Sequence, residues 1–297
     1  MTFPRACAIC GSTVATVTYR GPVRRGRFGE FVDGEVHRCA GCGVDSLGTA
    51  GMLDVDAYAS SAYRELVGER SESSNFFDLH DSEQFAKIPL LRGVLKRGTI
   101  VLDVGCAAGS FLDFISGIAA RTIAVEPATA YHASLRERGH EVFADLQSAG
   151  ASVGANVDLA VSFSVIEHVE DPVGLLKGIR QLVKPGGSVL LSTPNRRDLL
   201  VQCGPDAYRS FFYRLVHRFY FDAASLGEVL TRASFAIETV RYHHRFGFAN
   251  FVGWLRDGKP TADTGQVPLP AEFDDRWRLE LQETGVADYL YIVARAC

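Results

Sequence analysis

Residues 101–112, VLDVGCAAGSFL, constrain this chain more than any other stretch. A short apolar run carries the acid Asp103 near its end, Gly105 and Gly109 bracket a tight turn, and an amphipathic segment opens at Ser110. The pattern reads strand, glycine turn, helix, which is how an α/β fold holds a nucleotide-like ligand. The glycines let backbone approach closely, and a helix start offers N–H groups and a positive dipole end. Asp103 is then expected near the carboxyl end of the first strand, beside the crevice where open α/β sheets bind ligands. The dinucleotide fingerprint G-x-G-x-x-G is not met, because Ala107 stands where its middle glycine belongs, and a bound pyrophosphate is disfavoured.

Beyond Leu112 the alternation of apolar run and helix repeats. Glu126-Pro127 closes a second apolar run, Asp145 closes a third, and residues 157–164 form a fourth that leads into Ile166, Glu167 and His168. Asp171-Pro172 reads as an N-cap with proline at the first helical position, ahead of a helix over 173–183. The helix ends at KPGG, residues 184–187, and a fifth strand covers 188–192 before Thr193-Pro194-Asn195. Glu126 is placed to accept hydrogen bonds from both hydroxyls of a ribose, with a helix N-cap role as the structural alternative. The whole predicts a doubly wound α/β sheet.

This order and spacing resembles the class I S-adenosylmethionine (SAM) methyltransferases over about residues 85–240. The resemblance implies a Rossmann-like, seven-stranded sheet, with last strands at 235–242 and 287–294. It places Asp103, Gly105, Cys106, Gly109, Glu126, Pro127, Asp145, Leu146, Ser162, Phe163 and Ser164 around SAM. Asp145 would address the adenine amino group and Leu146 border the ring, against a surface turn as the plain alternative. Tyr58, Tyr63, Phe76 and Phe77 lie in a polar connector, residues 48–83, and N-terminal segments of this family often close over the cofactor. That lid role is assigned first to Tyr63, with packing on a neighbouring domain as the alternative for all four aromatics. Helical periodicity then starts near Ser82, with Phe85, Ile88, Leu91, Val94 and Leu95 on one face, and stops at Gly98.

The N-terminal segment carries a second signal. Cys7-Ala-Ile-Cys10-Gly11 and Cys39-Ala-Gly-Cys42-Gly43 are identical frames, each a half-site for a tetrahedral metal ion. β-like stretches at 14–19 and 28–37, interrupted by Gly21-Pro22 and Gly26, complete a small zinc ribbon. Zn²⁺ is expected to be structural, since four thiolates leave no open position. His37 reads as a strand residue. The expected domains are a ribbon over 1–47, the connector over 48–83, and a methyltransferase domain over 84–297 with an insertion at about 243–286.

Methyl transfer to a hydroxyl or carbon acid needs an aligned nucleophile and a base. His168 and His217 are the candidates. His168 follows strand four, where a structural or positioning role competes with that of base. His217 lies in a segment that resembles the Glu-His-x-x-Tyr-Phe stretch of sugar C-methyltransferases sharing the zinc module, but Val216 replaces the glutamate and weakens C-methylation. Packing in an aromatic cluster is its alternative role. The insertion, with His243, His244, Arg245, Asn250 and Trp254, resembles that of methyltransferases of polysaccharide and secondary-metabolite clusters. It mixes aromatic platforms with donors suited to a sugar or a phosphorylated ligand, and a dimer contact is the rival reading. The expected acceptor is thus a small polar metabolite such as a sugar, nucleotide-sugar or secondary-metabolite intermediate. A base of RNA is the alternative, favoured by the ribbon and by Arg20, Arg24, Arg25 and Arg27. Against RNA stands a net charge of −4. No apolar run spans a membrane, and the N-terminus lacks a signal-peptide build, so a cytoplasmic location is expected and a membrane partner is not. A homodimer is compatible with the sequence.

Overall fold

Alternating burial sets up the first hairpin, β1 (Ala15–Arg24) and β2 (Phe31–Cys39), followed by the short β3 (Asp45–Leu47). In this computed structural model the described residues are 6–48, 56–60, 62–68, 72–260 and 270–297. The chain continues through α1 (Asp56–Ala59), α2 (Ala62–Val67) and α3 (Ser73–Lys87) into β4 (Ile100–Val104), α4 (Ser110–Ser116), β5 (Arg121–Val125), α5 (His132–Glu137), β6 (Glu141–Phe143), α6 (Leu146–Val153), β7 (Val157–Phe163), α7 (Pro172–Leu182) and β8 (Val183–Pro194). Then come α8 (Leu199–Cys203), α9 (Asp206–Phe212), β9 (Phe219–Tyr220), α10 (Ala223–Arg232), β10 (Phe235–His243), α11 (Phe248–Asp257), α12 (Ala271–Glu283) and β11 (Tyr289–Ala296).

Seven strands form one mixed sheet in the order β10-β11-β8-β7-β4-β5-β6, with β4 to β8 parallel where they pair. The α/β, Rossmann-like architecture expected from the sequence is therefore present. β4 buries four of its five residues on both faces, as a central parallel strand must. Sequence order reverses on either side of it: β5 and β6 lie one way, β7 and β8 the other. The carboxyl ends of β4 and β7 thus flank the topological switch point, where ligands bind in such sheets. Asp171 and Pro172 open α7 as anticipated; the Asp171 carboxylate accepts from Gly174 N at 2.8 Å.

Three local readings are corrected. Gly21-Pro22 does not break β1, because β1 is an edge strand and an edge tolerates a residue without an N–H. KPGG is not a turn before a fresh strand; β8 begins at Val183 and the extra residues are absorbed as a bulge between the pairs Val157–Val183 and Leu159–Ser188. Most consequentially, the helix before β4 is α3, which starts at Ser73 and ends at Lys87, and the expected apolar face is split: Leu91 beyond it is buried, but the first two members are not. Phe85 is 68% exposed and Ile88 37%, while Gln84 and Lys87 are buried.

The chain divides into two compact units: residues 1–52, 193–226 and 240–291 form one, and 53–192, 227–239 and 292–297 the other. In the first, the N-terminal hairpin is not self-contained. β3 pairs with β9 through Asp45–Tyr220 and Ser46–Phe219, and Arg24 N donates to Tyr213 O. Val23, Val36, Leu47, Tyr213, Leu215 and Tyr220 make their common core. Asp45 is buried between Arg38 and Arg196, whose Nη1 stands 2.9 Å from it. In the same unit the residues proposed as sugar platforms are largely internal. Trp254 is 1% exposed and packs edge-on against Tyr208 at 4.9 Å, Asn250 is buried, and His244 and Arg245 bond to Asp288 or its backbone. Residues 261–269 of the expected insertion lie outside the described residues. No helix among the described residues is long and apolar enough to cross a membrane.

Candidate active site

The loop leaving β4 is held by the acid that ends β5. Gly105 and Gly109 adopt φ of +78° and +85°, and between them Ala107 takes φ +49° despite its Cβ. Ala107 N donates to Glu126 Oε2 at 2.8 Å, and Ala128 N donates to Oε1 at 2.8 Å. Glu126 is buried. Burial pushes its carboxyl upward, while these two N–H groups, Arg64 and His132 pull it back. Each carboxylate oxygen has further acceptor capacity for a diol. A Cβ on Gly105 would stand 2.4 Å from Val165 Cγ2, and one on Gly109 would stand 2.4 Å from Cδ2 of the buried Leu135. Both positions are cradles that only glycine fits. Gly109→Ala is accordingly expected to cost about 1–3 kcal/mol, read as a lowered Tm in a thermal melt.

Across the crevice, Ser164 takes φ +54° as the chain leaves β7, and its N–H donates to Ser192 O. That bend carries the chain to His168. Its Nδ1 lies 3.1 Å from the Tyr58 hydroxyl, and the rings of Tyr58 and Tyr63 stand edge-on to it at 5.4 and 5.6 Å. The result is a half-buried imidazole in an aromatic niche built by α1 and α2. Tyr63, for which a lid over the cofactor was expected, packs edge-on against His168.

A family profile described as a methyltransferase domain matches residues 78–240, more than half of the chain. This chain belongs to the SAM-dependent methyltransferase family. A Mycolicibacterium smegmatis protein named as a probable S-adenosylmethionine-dependent methyltransferase is 34% identical over 159 residues, 51% of this chain and 58% of that protein. A ubiquinone biosynthesis O-methyltransferase of Thiobacillus denitrificans is 31% identical over 157 residues, 49% of this chain and 66% of its own length. The chain thus spans just under two thirds, or less, of these curated relatives. A SAM-dependent methyltransferase structure from Thermotoga maritima superposes with a TM-score of 0.50 at 17% identity, covering 75% of this chain and 94% of that one, and shows the fold.

Within the methyltransferase unit, the remaining expected residues take varied roles. Asp103 and Cys106 are buried; Asp103 is pushed up to about 7 by burial, against the pull of Lys87 and with the push of Glu126. Ser162 donates to Val104 O at 3.0 Å and ties β7 to β4. Phe163 stands edge-on to Phe111 at 4.9 Å. Pro127 is exposed. Asp145 is the N-cap of α6, accepting from Ser148 N at 2.7 Å, with Leu146 half-buried after it. His217 belongs to the other unit, where it is buried beside Tyr220 at 5.8 Å between ring centroids. The sequence reading missed three polar residues. Lys87 Nζ lies 4.3 Å over Phe163, Arg64 acts electrostatically on Glu126, and Asp81 accepts from the Ser110 hydroxyl at the start of α4. Each sits in a helix whose periodicity says nothing of it.

The four paired cysteines converge in the other unit, their sulfurs all within 4.8 Å of one another. Cys7 Sγ to Cys42 Sγ is 3.7 Å and Cys10 Sγ to Cys39 Sγ is 3.4 Å. A tetrahedron with metal–sulfur bonds of about 2.3 Å has edges of about 3.8 Å, so the donor set fits such an ion. The two knuckles are copies. Gly11 and Gly43 take φ +75° and +73°, and their N–H groups donate to Cys7 O and Cys39 O. Burial raises the Cys39 thiol, but the Cys42 and Gly41 N–H groups and the neighbouring sulfurs outweigh it and bring it to about 7, so a thiolate is accessible there.

Proposed function

We propose that the protein transfers the methyl group of SAM to a hydroxyl of a small polar metabolite, a sugar, nucleotide-sugar or secondary-metabolite intermediate. The observation that carries this reading is the geometry of His168, an imidazole beyond β7 hydrogen-bonded to Tyr58 at 3.1 Å within an aromatic niche. SAM, when bound, supplies an activated methyl on a sulfonium. Glu126 is the residue to hold its ribose, and Gly105 and Gly109 supply the close backbone. In the tautomer whose Nδ1–H donates to Tyr58, the lone pair sits on Nε2, and His168 can take the acceptor hydroxyl's proton near neutral pH. The O-methyltransferase name of a relative supports an oxygen acceptor. Zn²⁺ is the ion proposed for the four thiolates, in a structural role. Two of the four arginines that would serve an RNA acceptor are engaged within the chain: Arg20 pairs with Glu35 at 2.7 Å, and Arg24 lies over Phe211.

The test is to incubate the protein with methyl-labelled SAM and a host-cell extract, then separate small molecules from RNA. Label is expected in the small-molecule fraction. His168→Gln should lower that incorporation by about 10²–10⁴-fold with SAM affinity unchanged. Label in RNA would replace the metabolite reading, and full activity in the variant would remove His168 as base.

A further inference from the structure

The end of α5 sends Arg138 and His140 back toward α4 and the loop that precedes it. α5 stops at Glu137, Gly139 takes φ +89°, and the N–H of His140 returns to Leu135 O at 3.1 Å, which closes the helix. Every nitrogen of the Arg138 guanidinium is engaged. Nε donates to Ser134 O at 3.1 Å, Nη1 to Asp113 Oδ2 of α4, and Nη2 to the backbone oxygen of Ala108 at 2.5 Å, while the Phe77 ring lies against its face at 4.8 Å. Asp113 is fixed in turn. Its Oδ1 lies 2.9 Å from Nε2 of the buried His140, whose Nδ1 lies 2.7 Å from Thr122 Oγ1 of β5.

The consequence falls on the peptide between Ala108 and Gly109. Ala108 is wholly buried, so its carbonyl has no water to bond instead. Arg138 holds that carbonyl from one side, and on the other the N–H of the same peptide, that of Gly109, donates to Cys106 O at 2.8 Å. A peptide gripped at both ends cannot turn over. Its orientation fixes the backbone of the glycine loop, with Gly109 at φ +85°.

We propose that Arg138 is a positioning residue for SAM binding: its guanidinium, oriented by Asp113, His140 and Thr122, holds the Ala108–Gly109 peptide in the orientation that receives the cofactor. The proposal rests on SAM being the ligand of this loop. A planar fork serves Asp113 and the Ala108 carbonyl from separate nitrogens, which a single ammonium does not. Without the fork the buried carbonyl loses its charged donor and the peptide turns toward another partner. SAM then binds only the fraction of molecules in which the held form is restored.

Calorimetry with SAM on the wild type, Arg138→Met and Arg138→Lys tests this, because it reads affinity and binding stoichiometry separately. Arg138→Met is expected to bind about 10–100-fold more weakly at unchanged stoichiometry. A lesion that merely destabilises the fold does the reverse: fewer molecules bind, and those that do keep their affinity. Arg138→Lys, which returns a charged donor without the fork, should fall between the two. Wild-type affinity in Arg138→Met, whether at full or at reduced stoichiometry, overturns the proposal. Amide exchange at Gly109 in the SAM-free protein reads the peptide directly. It should quicken in Arg138→Met while the amides of β4 keep their protection, and unchanged exchange at Gly109 overturns the proposal. Arg138→Gln, whose amide ends short of the position of Nη2, takes the place of the methionine variant if that one does not fold. A wild type that binds no SAM overturns the cofactor assignment instead, and the SAM-free exchange tells the two failures apart.

Discussion

Glu126→Ala is expected to abolish measurable SAM binding while the fold persists. Two hydrogen bonds from a diol to a carboxylate are worth about 1.5–3 kcal/mol each, so their loss lowers affinity by about 10²–10⁴-fold. The carboxylate also anchors Ala107 N and Ala128 N, so its removal frees the left-handed Ala107 within the loop that meets the ligand. The fold should survive because the substitution removes a buried acid whose carboxyl burial already disfavours as a charge, which offsets part of the cost of two unpaired N–H groups. Calorimetry with SAM, alongside a far-ultraviolet dichroism spectrum matching the wild type, checks both halves. Asp103→Ala should behave alike, and unchanged affinity in either variant would sink the cofactor assignment.

Why these acids were legible in the sequence, and Lys87 was not, has a physical reason. Asp103 and Glu126 lie at the ends of apolar runs in a fixed order with a glycine turn, so strand chemistry and spacing mark them together. The four cysteines are marked the same way, by two identical frames. Lys87 lies where helical periodicity assigns the core to Phe85 and Ile88, and only its burial, with the ammonium over the Phe163 ring, shows that a cation takes that place instead. Trp254 failed in the opposite direction. Its aromatic, donor-rich neighbourhood reads as a binding platform, yet Leu200 and Tyr208 close over it as core. Pairing was illegible too: Phe219 and Tyr220 form a strand of two residues whose partner, β3, stands far away in sequence, so no local pattern announces it.

That pairing sets what metal removal will do. Zn²⁺ withdrawn by a chelator, or excluded by Cys10→Ser, is expected to unfold the hairpin of β1 and β2, because a structural Cys₄ site contributes about 10–16 kcal/mol and a segment this short has little core of its own. The core it does have is shared: Val23, Val36 and Leu47 pack on Tyr213, Leu215 and Tyr220, and Tyr220 bonds through its hydroxyl to the backbone of Arg214. Loss of the knuckles therefore exposes both sides of that cluster. Hydrogen exchange should accelerate together in β1, β2, β3 and residues 213–221, by a factor far above that seen in β4 and β7. The parallel strands β4 to β7 bury their own residues and close their own ladder, so SAM affinity should change little. Elemental analysis and exchange mass spectrometry on the same samples make the check. Full metal content in Cys10→Ser contradicts the four-thiolate site. A metal-free protein whose exchange is unchanged in residues 213–221 contradicts the shared core, since the two strands β3 and β9 could then hold without the hairpin that the cysteines close.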